Sequence, residues 1–214
     1  RQLAENERKL TERRISVMMS QIRSHFIFNV LTTISGYCKI DPKKADNALI
    51  HISRYLRKNI RIIEEEGLID FATELEQVED YVALEQLRFE DMTVFEKEIG
   101  TSGFKIPPLT IQPIVENVIL HAFEDIRSGG MIYFKADIME DGRLSISVRD
   151  NGSGMTPETL ESIRREIREK SALNSKSIGI SNVINRLWIY YHDRAELYVN
   201  SVLGQGSEFI LIIP

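Results

Sequence analysis

From residue 1 to about residue 40 the chain has no proline, no glycine before Gly36, and apolar residues that recur with a helical period. Leu3, Leu10 and Val17 lie seven apart, and Ile15, Met18, Met19, Ile22, Phe26 and Val30 continue the stripe. A stripe of that period belongs to a helix that packs on other helices. It predicts one long helix over 1–40, ended at Asp41-Pro42, because proline lacks the amide donor and disfavours helix in the residue before it. Ala45, Leu49, Ile52, Leu56, Ile60 and Ile63 repeat the period. They predict a second helix over 43–65, folded back on the first as a hairpin. Two hairpins meeting along their seams would make a four-helix dimer. A third helix is predicted over 71–89, with Phe71, Leu75, Val78, Val82 and Phe89 apolar and a run of acidic residues that reads as a solvated face.

Past residue 93 the pattern changes to short strands alternating with helices. Strands are predicted over 93–99, 131–138, 144–148, 196–201 and 208–213, and helices over 109–125 and 178–190, with a charged stretch at 156–175. Short turns such as Asp141-Gly142 imply antiparallel pairing with helices on one face, an α+β layer structure. The chain of 214 residues, 43% apolar and 28% charged, has the composition of a soluble globular protein of one or two domains. The natural division is 1–66 and 67–214. A net charge of -5 leaves no general basic field for nucleic acid. The single cysteine, Cys38, forms no internal disulfide and argues against a cysteine metal site. No run of 18 apolar residues and no signal-peptide pattern occurs. The chain begins at Arg1 rather than Met, and we expect it to be a fragment of a longer protein.

Candidate chemistry begins on the first helix. Gln21-Ile-Arg-Ser-His25-Phe-Ile-Phe-Asn29 puts the His25 imidazole one turn before the Asn29 carboxamide, on one helix face. His25 borders the apolar stripe, where packing can hold it and a partner can reach it. Four further motifs stand at the joints of the second half. In Gln112-Pro113-Ile114-Val115-Glu116-Asn117-Val118-Ile119-Leu120-His121, Asn117 and His121 share a face of an otherwise apolar helix. An amide oxygen is a hard ligand that Mg²⁺ accepts beside phosphates. Glu116, the nearest carboxylate, projects roughly 100° around the helix from Asn117.

Asp150-Asn151-Gly152-Ser153-Gly154 follows a strand, so its carboxylate can accept from an exocyclic amine while the glycines admit a flat ligand. Ser177-Ile178-Gly179-Ile180-Ser181-Asn182 opens a helix whose N-terminal amides favour phosphate. Gly204-Gln205-Gly206-Ser207 is a tight turn before the last strand.

In that order and spacing the four motifs resemble the GHKL (Bergerat) nucleotide-binding fold of histidine kinases, Hsp90, gyrase and MutL. With the His-Phe-x-Phe-Asn helix ahead of them, residues 15–214 resemble LytS/YesM-like sensor histidine kinases. The resemblance implies a dimeric phosphoacceptor hairpin followed by an α/β sandwich that binds ATP and Mg²⁺. His25 would take the γ-phosphoryl group, with Asn29 and Glu116 as further catalytic candidates. Asn117 would hold Mg²⁺ and Asp150 the adenine amino group. His121, Gly152, Gly154, Gly179, Ile180, Asn182, Gly206 and Ser207 would complete the nucleotide site, with Thr156 to Ser175 as its lid. The expected partners are a second copy of the chain and a response regulator, with a membrane sensor upstream and this portion on the cytoplasmic face. Three positions depart from the family pattern: Ser24 for a usual proline, Leu120 for a common lysine, and Ser177 for a usual glycine. The rival readings are a GHKL clamp ATPase and a nucleotide-binding scaffold without transfer.

Overall fold

The computed structural model describes residues 24–64, 67–88, 93–123, 129–169 and 178–214. The helix expected over 1–23, Ser177, and the side chains of Ser24 and His25 lie outside the described residues. The chain divides into two compact units: 1–67 with 79–88, and 68–78 with 89–214. The cut falls inside the third helix, where the sequence places the whole of that helix with the second half of the chain.

In the first unit, helix α1 (Ser24–Ile40) and helix α2 (Pro42–Glu64) are separated by Asp41 alone. The Asp41 carboxylate accepts from the Lys44 N–H at 3.1 Å, an N-terminal cap with proline in the first helical position. Phe26, Val30 and Ile34 of α1 and Ala45, Ala48, Ile52 and Tyr55 of α2 form the buried seam. Leu49 and Ile60, which the period also placed there, are exposed. The second half of helix α3 (Phe71–Arg88) joins this core through Tyr81, whose ring centroid lies 4.9 Å from that of Phe26. Buried Asp80 of α3 accepts from His51 Nδ1 at 2.8 Å and Lys58 Nζ at 3.1 Å.

Glu76 of α3 faces water, but the acidic residues of this helix are not one solvated face. Glu74, Asp80 and Glu85 are all buried. Glu85 is paired with Arg88 through two contacts of 2.9 and 2.8 Å. A carboxylate is kept out of water only where donors replace its hydration; for Glu85 the donor Arg88 is local, while for Glu74 and Asp80 donors come from residues distant in sequence.

In the second unit the strands are β1 (Ile69–Asp70), β2 (Thr93–Ile99), β3 (Lys105–Ile106), β4 (Gly130–Ile138), β5 (Leu144–Asp150), β6 (Glu196–Val202) and β7 (Gly206–Ile213). β1 and β3 form a small antiparallel pair that no periodicity announces. The other five make one sheet in the order β2-β4-β5-β7-β6. β2 runs parallel to β4, so the sheet is mixed rather than wholly antiparallel. Ile132, Phe134 and Ala136 of β4, Ile146 and Val148 of β5, and Phe209 and Leu211 of β7 are buried on one face. Alternate residues such as Lys135 and Arg149 face water, as expected of a sheet covered by helices on one side only.

The covering layer contains helix α4 (Gln112–Asn117), continued by a π-helical turn (Val118–Ala122), helix α5 (Pro157–Glu169) and helix α6 (Ile178–Tyr191). Two differences from the sequence reading bear on the site. The helix expected from Leu109 begins at Gln112, because Leu109 takes a left-handed conformation with φ 56°. The charged stretch at 156–175 contains a regular helix, α5, whose Ile163 is buried; residues 170–175 lie outside the described residues.

Candidate functional site

Asp150 is the last residue of β5 and is only 2% exposed. Its Oδ1 accepts from the Gly152 N–H at 2.7 Å and the Ser207 N–H at 3.2 Å. Its Oδ2 is buried and has no hydrogen-bond partner among the described residues. One oxygen is thus fixed by two backbone donors while the other is held out for a donor that no described residue supplies, since a buried acceptor left unpaired is costly. Burial pushes this carboxyl above the ordinary aspartate range, and the Gly152 and Ser207 N–H groups oppose that shift.

The loops around Asp150 are drawn in tightly. Gly206 has φ 97°, and a Cβ on it would lie 2.0 Å from the Asp150 carbonyl oxygen. Gly154 has φ 65°, and a Cβ there would lie 2.1 Å from the Val202 carbonyl oxygen. Only glycine takes such backbone at such range without strain. Gly152 packs against Ala122, and the neighbouring Ser153 N–H donates to the Ala122 carbonyl at 2.9 Å.

Across from Asp150, Asn117 stands where α4 passes into the π-helical turn, a distortion that often accompanies functional sites. The Asn117 Nδ2 is also buried without a partner among the described residues. A half-turn about the Cβ–Cγ bond exchanges this amide's donor and acceptor ends, so the same position can present its oxygen to a cation. Gly179 abuts the amide: a Cβ on it would lie 2.6 Å from Nδ2. Glu116 accepts from Gln112 Nε2 at 2.6 Å within α4.

Asn117, His121, Asp150, Gly154, Ile180 and Ser207 line one cavity of about 360 Å³. Six of the expected residues are therefore brought together. Gly152, Gly179 and Gly206 stand behind the wall, supporting Asp150 and Asn117 rather than facing the cavity. Asn182 is exposed and is not part of the lining, and neither is Glu116. His25 and Asn29 belong to α1 of the hairpin unit.

Of the stretch expected as a lid, Thr156, Thr159 and Ile163 line the cavity, and the structure adds Met155 and Phe209 to the wall. Thr156 caps α5 by accepting the Thr159 N–H at 3.3 Å, with Pro157 next, so a Thr-Pro helix start was the legible signal for this wall. Phe209 had no signal beyond being apolar. A larger depression of about 570 Å³ on the water-facing side of the sheet is lined by Glu98, Lys135, Arg149 and Glu208 among others. None of its lining groups is both buried and unpartnered among the described residues, in contrast to the cavity at Asp150.

Residues 13–93 match the family described as Histidine kinase, and residues 107–214 match the family described as Histidine kinase-, DNA gyrase B-, and HSP90-like ATPase. The chain belongs to the histidine kinase family. Its second unit is the ATP-binding part of such a kinase, and the cavity lies wholly within it.

Among curated relatives, this kinase chain is 35% identical over 202 residues to the sensor histidine kinase YpdA of Escherichia coli, covering 94% of the chain and 34% of that protein. It is 34% identical over 203 residues to the sensor protein LytS of Staphylococcus saprophyticus, covering 94% of the chain and 33% of that protein. The chain thus spans about a third of the length of these relatives. A solved histidine kinase domain from a blue-light-activated kinase of Erythrobacter litoralis shares the fold with TM-score 0.51 at 16% identity, over 98% of this chain and 94% of that one. The catalytic domain of histidine kinase ThkA gives TM-score 0.52 at 16% identity, over 70% of this chain and 96% of that one. Among the described residues no helix is long and apolar enough to cross a membrane.

Proposed function

We propose that the chain is the catalytic portion of a sensor histidine kinase of a two-component system, and that it transfers the γ-phosphoryl group of ATP to His25. The observation that carries this reading is the Asp150 carboxylate, with one oxygen fixed by two backbone N–H groups and the other buried and unpartnered in a cavity. Such an oxygen accepts the exocyclic amine of adenine, and the apolar wall of Ile163, Ile180 and Phe209 suits the base. Asn117 and His121 lie in the same cavity and fit the phosphate end. There the Asn117 oxygen would hold Mg²⁺, which supplies charge neutralisation of the transferring group.

The neutral imidazole of His25 attacks the γ-phosphorus, and the bond to the bridging oxygen of ADP breaks. The unperturbed histidine pKa near ~6.5 leaves that form abundant at neutral pH. The phosphoryl group then passes to an aspartate of a response regulator. In this reading residues 1–66 are the dimerising phosphoacceptor hairpin and residues 67–214 the linker helix and ATP-binding domain. The sensor lies upstream, at a membrane, with this portion on the cytoplasmic face.

The test is incubation of the chain with γ-labelled ATP. Acid-labile, base-stable label is expected, and His25→Ala should abolish it while ADP affinity stays within about twofold. Steady-state ATP turnover should be slow and should largely vanish with His25. Pro113 stands one helical turn before Asn117, where a clamp ATPase would need a base, and it carries none. Label that persists on His51, His121 or His192, or robust turnover in His25→Ala, would refute the assignment.

A further inference from the structure

The segment that launches α4 is held by two polar side chains from other helices, one buried and one half-buried. The first is Glu74 of α3, fully buried, whose Oε1 accepts from the Ile111 N–H at 2.5 Å and the Gln112 N–H at 3.2 Å. Ile111 itself provides no side-chain cap, so Glu74 supplies from another helix what a capping residue supplies locally. The second is Arg186 of α6, whose Nη1 donates to the Leu109 carbonyl.

Leu109 is the residue with φ 56°, an unfavourable conformation for a branched side chain that persists only when its surroundings impose it. The Thr110 hydroxyl fixes the same turn by donating to the Pro107 carbonyl at 2.6 Å. α4 has only six residues before the π-helical turn, too few to hold its own register, and Asn117 is its last. Arg186 lies two turns beyond Gly179 on α6, and Gly179 is the residue that abuts the Asn117 amide.

We propose that Glu74 and Arg186 are positioning residues for Asn117: they clamp the entry of α4 and thereby set where its amide meets the phosphate end of the cavity. This rests on the assignment of that cavity to a nucleotide. The clamp acts on Asn117 and leaves Asp150 untouched, because Asp150 is fixed by Gly152 and Ser207. Loss of the clamp should therefore weaken the metal-dependent part of nucleotide binding and spare the adenine-dependent part.

The experiment is calorimetric titration of the 214-residue chain with ATP in MgCl₂ and with ADP in EDTA, together with amide hydrogen exchange. Glu74→Ala should weaken ATP binding in Mg²⁺ by about tenfold, the scale of a lost helix cap, while ADP binding in EDTA changes by less than about twofold. Amides of residues 111–117 should lose protection while those of β4, β5 and β7 keep theirs. Glu74→Gln, which retains the accepting oxygen, should restore both readouts. Arg186→Met, which keeps the stem and removes the donor, should repeat the selective loss. If Glu74→Ala does not fold, Glu74→Asp, shorter by one methylene, should show the same selective loss. Equal weakening in both titrations, no weakening in either, or a Glu74→Gln protein that behaves like Glu74→Ala would overturn the proposal. Unchanged ADP binding in Asp150→Ala would instead sink the nucleotide assignment beneath it.

Discussion

A methyl group on Gly179 would lie 2.6 Å from the Asn117 amide, yet the backbone there is part of α6 and is not among the left-handed glycines. The two facts separate stability from binding. Alanine suits a helix better than glycine, so Gly179→Ala should leave the folding free energy unchanged or raise it by up to about 1 kcal/mol. The atom that must move is the end of the Asn117 side chain, so the same variant should bind ATP in Mg²⁺ more weakly. Thermal unfolding and titration of one preparation check both halves. A variant that loses stability and binding together would show that Gly179 is needed for packing alone. Gly179 was legible in the sequence as part of a glycine-bearing helix start, but its placement against Asn117 was not, because the two residues are 62 positions apart.

At the scale of elements, α3 and α4 meet through a buried carboxyl group, with a consequence for pH. Burial raises the Glu74 pKa to about 7, against the opposing pull of the Ile111 and Gln112 N–H groups and of Arg186. A carboxyl whose folded pKa lies above its unfolded value keeps more protons in the folded state between the two. Its contribution therefore favours folding below about pH 4.5 and is lost as pH rises through about 7. The full swing is on the order of 3 kcal/mol. Thermal unfolding midpoints of the wild-type chain should fall between pH 5 and pH 8 by more than those of Glu74→Gln, whose side chain does not titrate. Parallel pH profiles for the two proteins would show that Glu74 stays in one protonation state throughout.

At the scale of the whole molecule, the hairpin leaves several large apolar side chains exposed. Phe28 is 68% exposed, Leu31 47%, Leu49 44% and Ile60 48%. They lie on both helices of the hairpin, and the dimer proposed for this kinase would cover them. Leu49→Glu should then lower both the mass in solution and the His25 labelling while the chain stays folded. Ile52→Glu should act differently, because Ile52 is 4% exposed and belongs to the seam between α1 and α2. It should destabilise the hairpin by several kcal/mol, the consequence of burying an unpaired charge. Sedimentation as a monomer at tens of micromolar by the unaltered chain would remove the dimer from the proposal.

The helices of the hairpin, the turn at Asp41-Pro42, most of the strands and the order of the nucleotide motifs were all legible in the residues alone. Each depends on periodicity, proline chemistry or glycine spacing within a few positions. What tertiary structure alone decided are the non-local pairings. β2 lies parallel to β4, Phe209 comes to the cavity wall, and the carboxyl groups of Glu74 and Asp80 are buried against donors far away in sequence. A carboxylate in a helical sequence looks the same whether water or a distant backbone N–H will satisfy it. For Glu74 that choice was made by Ile111, 37 residues away, and for one oxygen of Asp150 by Ser207, 57 residues away. Pattern in a sequence reports which face of an element is apolar; only the fold determines which donors reach the polar atoms taken out of water.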